Sequence, residues 1–393
     1  MASHSLPALF MRGGTSKAIM FDRRELPASQ TEWDPIFLSA MGSPDPAARQ
    51  LDGMGGGITA LSKVCIVSPS NRSDADVDYT FAQVAVKDAK VDYKSNCGNM
   101  SSAVGPFALE KDMVAAPRDG ETTVRIYNTN TDKIIHSTFR VEGGLPVYGG
   151  DLTIPGVHGS GSPVRLDFID PGGATTGKLL PTGNPIDVLD VEGFGPIEAS
   201  LVDAANACVF VRAKDIGLQG TELPDTIERR SDILKLMAAI REAGSVKMGI
   251  AADLEAARNS PVVPYVGFVS EAADMSILSG EEVGAGDMDV NMRIIANGLP
   301  HKALPLTVSL CAAVAMRIEG TIPAQATQTA SVDAPLRLGM PSGVLTVSAD
   351  VRKASDGDGW DARYGSFFRT TRKLFEGRVF FELKVSTDGE IHV

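Results

Sequence analysis

Four short segments carry side chains suited to proton or anion chemistry. In Asn96-Cys-Gly-Asn-Met-Ser-Ser102 a cysteine precedes glycine and asparagine at the head of a run of small residues. That pattern predicts a strand-to-helix turn. Free backbone N–H groups and the positive end of the helix dipole would then converge on Cys97, Gly98 and Asn99 and hold an anion, whether thiolate or carboxylate. The competing reading is a buried structural thiol, the common state of a free cysteine. The polar and turn residues around Cys97 argue against it. Pro106 lies inside the expected helix and should bend or end it.

The second segment runs from Gln50 through Leu-Asp-Gly-Met-Gly-Gly-Gly57 to Ser62-Lys-Val-Cys-Ile-Val67. A glycine-dense loop lets backbone approach a ligand closely. Lys63, at the edge of the apolar run that follows, would be partly stripped of water and able to serve as a general base. Equally, alternation along a strand would turn it to solvent. The third segment, Met11-Arg-Gly-Gly-Thr-Ser-Lys17, offers Arg12, Gly13, Gly14, Thr15, Ser16 and Lys17 as cations, hydroxyls and backbone donors for a carboxylate, or forms a plain hairpin turn. In the fourth, Pro300-His-Lys-Ala-Leu-Pro305, His301 is either a site residue or a satisfied structural one. Arg12, Lys17, Arg49 and Arg293 are further partners for a carboxylate. Cys311, among Leu310, Ala312, Ala313 and Val314, reads as core.

Other motifs fail on inspection. Gly55-Gly-Gly-Ile-Thr-Ala60 matches the letters of a dinucleotide loop, but the polar stretch before it is no buried strand. Asp74, Asp76 and Asp78 alternate as in a calcium loop, yet Tyr79 stands where glycine and Ala85 where glutamate are required. They read as a solvated turn. The five histidines are scattered, so no metal site is expected.

The elements that must position these groups are many short strands and a few helices. Strand-like runs occur at Lys63–Val67, Tyr79–Val86, Thr123–Tyr127, Val164–Ile169, Cys208–Arg212, Val344–Ala349 and Arg378–Val385. Helical spacing occurs at Ser231–Glu242 and Pro305–Ile318. This is an α+β chain. At 393 residues it is expected to form two domains, 1–190 and 191–393, with the junction near Gly183–Gly195. The halves show a faint likeness: a polar turn at Met11–Lys17 answers one at Asp203–Cys208, and each half later enters a small-residue helix bearing a cysteine.

A net charge of −12 excludes a protein built around a basic nucleic-acid face, while leaving room for a locally positive cleft. Four cysteines without a C-x-x-C pair make no disulfide framework, and no apolar run reaches the ~18–20 residues that span a bilayer. The expectation is a reducing cytoplasm, with neither nucleic acid nor membrane as partner. The oligomeric state is not legible, which leaves a homodimer open.

Taken together, Met11-Arg-Gly-Gly-Thr-Ser-Lys17, Met41-Gly-Ser-Pro-Asp45, Gln50-Leu-Asp-Gly-Met-Gly-Gly56, Ser62-Lys63, Asp76-Val-Asp-Tyr79, Asn96-Cys-Gly-Asn99 and Leu180-Pro-Thr-Gly-Asn184 resemble the methylaconitate/methylitaconate isomerase family. Its relatives include oxalomesaconate tautomerases and aconitate isomerases. The likeness runs from about residue 9 to Pro341-Ser-Gly343, and Arg125–Lys133 with Ser62–Val67 looks closest to the methylitaconate branch. The resemblance implies a diaminopimelate-epimerase-like fold, two pseudo-duplicated domains each with a curled sheet around a central helix and a site in the cleft. It implies no cofactor, a small unsaturated polycarboxylate as substrate, and Lys63 and Cys97 as catalytic residues. It also implies that Ser62 and Asn206 belong to the substrate site. Amino-acid epimerases of this fold use two thiols. Here Leu306 stands where the second would be, which favours an allylic double-bond shift over stereoinversion.

Overall fold

Turn chemistry and alternation build the first half. Strand β1 (Ser3–Gly13) reverses at Gly13-Gly14 into β2 (Ser16–Asp22), with Gly13 opposite Ser16. Gly14 sits at φ +51°, the left-handed region that favours glycine. Helix α1 (Trp33–Met41) then carries the chain to β3 (Lys63–Pro69), which pairs in parallel with β2 and antiparallel with β4 (Val77–Val84). Helix α2 (Gly98–Glu110) crosses over to β5 (Gly120–Asn128), parallel to β4, and β6 (Lys133–Glu142) returns antiparallel. The computed structural model describes residues 3–93, 97–260, 263–327, 334–354, 359–385 and 391–392.

Each strand separates two faces. Ile19 and Phe21 of β2, Val64 and Ile66 of β3, and Ala82 and Val84 of β4 pack with Trp33, Ile36 and Phe37 of α1. The opposite face receives α2, whose residues Met100 through Leu109 are all buried. A helix buried on every side must be apolar or small all round, and Ser101, Ser102, Ala103, Gly105 and Ala108 satisfy that. Pro106 does not end α2, which continues to Glu110.

The second half repeats this order. Strand β7 (Gly195–Ala204) turns through Ala205, at φ +61°, into β8 (Asn206–Arg212). Helix α3 (Ser231–Lys247) leads to β9 (Tyr265–Glu271), parallel to β8 and antiparallel to β10 (Val290–Ala296). Helix α4 (Leu306–Arg317) crosses to β11 (Leu336–Met340), parallel to β10, and β12 (Gly343–Lys353) returns antiparallel. Ile233, Met237 and Ile240 of α3 pack on Leu201, Val209, Val266 and Phe268. The buried α4 lies against β7, β8 and β12. Hairpin, parallel step, antiparallel step, parallel step and antiparallel return recur in the same sequence, each with one helix per face. The architecture is the α+β pseudo-duplication expected from the sequence.

The boundary differs from the expected one. The chain divides into one unit of residues 1–166 with 368–393 and another of 167–367. The reason is the long strand β13 (Trp360–Glu382). Its residues 360–367 pair with β12 in the second unit, and residues 371–382 pair with β1 in the first. Sequence order cannot show that the C-terminus returns to the N-terminal sheet. Among the described residues no helix is long and apolar enough to cross a membrane.

Candidate active site

Lys63 opens β3 with Ala18 of β2 on one side and Gln83 of β4 on the other. Val64 and Ile66 face α1, so the strand period of two turns Lys63 and Cys65 toward α2. The side chain is buried rather than on a solvent face, with 7% of the residue exposed. Its Nζ donates to Gln83 Oε1 at 2.6 Å and lies 5.0 Å from the centre of the Phe81 ring. No carboxylate among the described residues forms an ion pair with it. On the same face, the Cys65 thiol meets Tyr79 Oη at 3.7 Å. Burial raises both of these groups well above their ordinary range and keeps them protonated.

Cys97 is the extended residue immediately before α2, with φ −124° and ψ 94°. Its carbonyl accepts from Ser101 N at 3.0 Å, and its Sγ lies 3.9 Å from Ser16 Oγ. Gly98 and Asn99 form the first helical positions, whose N–H groups have no partner within a helix. The β1–β2 turn rests on this helix start. A Cβ on Gly13 would stand 2.7 Å from Asn99 O, and one on Gly14 would stand 2.1 Å from Asn99 Oδ1. Thr15 N and Arg369 Nε donate to that Oδ1 at 3.4 and 3.1 Å. Asn96 lies outside the described residues.

The structure thus gathers Gly13, Gly14, Thr15, Ser16, Cys97, Gly98 and Asn99 in one place. Lys63 stands on the same sheet face, beside the strand that Ser16 begins. Lys17 is not in this group: it alternates to the other side of β2, where its Nζ lies 5.7 Å from the Phe10 ring. Arg12 supports the turn, donating to Gly14 O at 2.9 Å and Thr370 O at 2.8 Å. Ser62 is fully buried, and its hydroxyl donates to Gln50 Oε1 at 2.6 Å. Gln50 also accepts from Gly57 N at 2.9 Å and donates to Ser43 Oγ at 2.8 Å, so one buried amide ties the glycine loop to the start of β3.

In the second unit, Asn206 begins β8 as Ser16 begins β2, and its Nδ2 donates to Thr307 Oγ1 in the first turn of α4. The cap of α4 is Pro305, where α2 has Cys97. His301 Nδ1 is engaged with Ala303 N at 3.0 Å and Ala303 O at 2.7 Å, a local turn. Cys311 is fully buried with Sγ 3.4 Å from Val202 O, the core position the sequence indicated. Arg293 is also core, only 1% exposed, and donates to the carbonyls of Glu222, Met292 and Gly339. Burial lowers it to about 10.

Three contributors escaped the sequence reading. Gln83 follows Tyr79 and Phe81 on inward-facing positions of β4, so a polar residue on an apolar parity was its only signal. Gln50 gave none beyond its place before the glycines. Arg369, on β13, reaches Asn99 across 270 residues of sequence, and burial lowers it to about 10. Among the described residues no group of three histidines, cysteines or carboxylates could hold a metal ion.

Residues 3–382 match the family described as PrpF protein. The chain is 41% identical to the 3-methylitaconate isomerase of Eubacterium barkeri over 379 residues, 96% of this chain and 97% of that protein. It is 36% identical to the 2-methyl-aconitate isomerase of Cupriavidus necator over 384 residues, 95% of this chain and 96% of that one. A crystal structure of methylitaconate-delta-isomerase superposes with a TM-score of 0.89 at 41% identity, covering 97% of each chain.

Proposed function

This chain belongs to the PrpF protein family, and from that premise we propose that it is an isomerase shifting a C=C bond in a small unsaturated polycarboxylate. The first substrate to consider is 3-methylitaconate and the second 2-methylaconitate, in the order of the identities. Free cysteines at all four positions support a reducing compartment such as the cytoplasm.

The observation that carries the reading is the joint placement of Lys63 and the Cys97 turn on one face of the first-unit sheet. A buried amine held by a neutral acceptor serves as the base. It removes the acidic proton γ to a carboxylate across the C=C, and the charge spreads through a dienolate. The N–H groups at Gly98 and Asn99, with those of the Gly13-Gly14 turn, supply donors for the substrate carboxylates and for the developing charge. Lys63 or Cys97 then delivers a proton to the remote carbon. Steps of this kind contribute about 10²–10⁴ in rate. Both protons move on one face of the substrate, so a single lysine and a single thiol suffice. Neither Pro305, which caps α4, nor Leu306, its first residue, provides a second thiol for stereoinversion, which disfavours an amino-acid epimerase.

The test is a Lys63→Met variant with native fold. It loses isomerisation and the exchange of substrate protons with deuterated water; full activity refutes the assignment. Ultraviolet absorbance with methylitaconate, methylaconitate, aconitate and oxalomesaconate identifies the substrate, because each shift alters conjugation.

A further inference from the structure

We propose that Gln83 is a positioning residue that holds Lys63 through both of its protonation states. The inference rests on the reading of Lys63 as the base. Gln83 Nε2 donates to Ser62 O at 2.9 Å, Thr59 O at 3.1 Å and Val84 O at 3.4 Å. Those three partners are carbonyl oxygens, which accept and cannot donate. Flipping the amide would point its oxygen at all three. The Gln83 oxygen is therefore locked toward Lys63 Nζ, 2.6 Å away.

A base that takes and returns a proton alternates between amine and ammonium. Both forms carry N–H groups, so both can donate to a neutral amide oxygen. A carboxylate in the same place would bind the ammonium more strongly than the amine and hold the proton on the lysine. The amide keeps one N–H of Lys63 fixed, which aims its remaining positions, and the lone pair of the neutral form, away from β4. The Phe81 ring, 5.0 Å from Nζ, favours the cation only modestly. Among the described residues the titratable groups facing Lys63 are few. Cys65 on its own strand and Tyr79 on β4 are kept protonated by burial, and Cys97 caps α2. From β2 come Ser16 and Ala18, and from the turn at 59–62 no titrating side chain.

Gln83→Glu, Gln83→Met and Lys63→Met variants, each checked by thermal unfolding, separate the outcomes. In Gln83→Glu the acid limb of the kcat/KM profile moves up by about one unit or more, so activity at neutral pH falls about tenfold and returns in alkali. In Gln83→Met, kcat falls about tenfold or more with KM within about twofold, as expected for a misaimed base. A Gln83→Glu profile superimposable on the wild type, or lowered equally at every pH, overturns the positioning role while an inactive Lys63→Met leaves the base assignment standing. An active Lys63→Met removes the base assignment itself. Should Gln83→Glu not fold, crystal structures of the wild type at both ends of its activity profile decide. The Nζ–Oε1 contact persists at both if the proposal holds, and Lys63 leaves Gln83 at the alkaline end if it does not.

Discussion

Asp76 and Arg125 are joined by three interactions at the parallel junction of β4 and β5. Arg125 N donates to Asp76 Oδ2 at 2.8 Å, Asp76 N donates to Arg125 O at 2.8 Å, and the guanidinium reaches Oδ1 at 2.7 Å. The second unit repeats the arrangement with Asp289 and Arg337 at the junction of β10 and β11, at 2.7, 2.8 and 2.9 Å. Both pairs pin a strand to the strand that follows the buried helix, setting the register across the crossover. The neighbours of Asp76 are engaged as well. Asp74 pairs with Arg72 and Asp78 accepts from Ser70 Oγ, so the alternating acids form a built turn.

This pair makes the first unit acid-sensitive. Burial pushes the Asp76 carboxyl up, but the hydrogen bonds and charge of Arg125 outweigh it and hold the group below its ordinary value of 3.8. A carboxyl lowered by folding stabilises the protein above its unfolded value, and that contribution is lost as pH falls through the folded value. Asp76→Asn therefore unfolds at lower denaturant than wild type at pH 7, and the gap closes below about pH 4. Denaturant titrations at pH 7 and pH 3 measure it.

Gly14→Ala tests the turn that rests on α2. The new Cβ would lie 2.1 Å from Asn99 Oδ1 on a backbone at φ +51°. Left-handed backbone alone costs a non-glycine residue about 1–2 kcal/mol. The variant loses at least that much stability, and its kcat falls because the Cys97 turn must shift to make room. Calorimetry and steady-state kinetics give the two readouts.

Cys97→Ala and Cys97→Ser separate a reacting thiol from a packing one. Alanine removes the group facing Ser16 and lowers kcat by about 10² or more; serine retains a donor and falls between. Unchanged turnover in both variants assigns Cys97 to packing.

Asn99→Leu removes the shared acceptor of Thr15 N and Arg369 Nε. A buried guanidinium N–H left without its acceptor destabilises by about 1–3 kcal/mol. On the proposed role of the Gly13-Gly14 turn as a carboxylate site, KM rises with it, because the turn loses its anchor. Asn99→Asp restores the acceptor and recovers most of the stability.

Much of this site could be read along the chain because its parts are local. The Gly13-Gly14 turn, the glycine loop before Lys63 and the cysteine before a small-residue helix are each continuous, and turn and cap chemistry depends on neighbours in sequence. The α+β class followed from alternation. The duplicated order was visible only faintly, as two polar turns and two cysteine-bearing helices, because the halves share topology and few residues, the Asp76–Arg125 and Asp289–Arg337 pairs among them. The cysteines themselves proved inequivalent: Cys97 precedes its helix, whereas Cys311 lies in the middle of the other.

The sequence by itself determined the candidate residue types, a lysine at a strand edge and a thiol at a helix start, with donors clustered beside the thiol. Only the tertiary structure decided which neighbours they keep. Strand register set Gln83 against Lys63, the parity of β2 sent Lys17 away from Ser16, and a strand from the far end of the chain brought Arg369 to Asn99. The first and last of those relations join residues 20 and 270 apart in sequence. Such pairings follow from how buried faces fit together, which no local pattern of residues encodes.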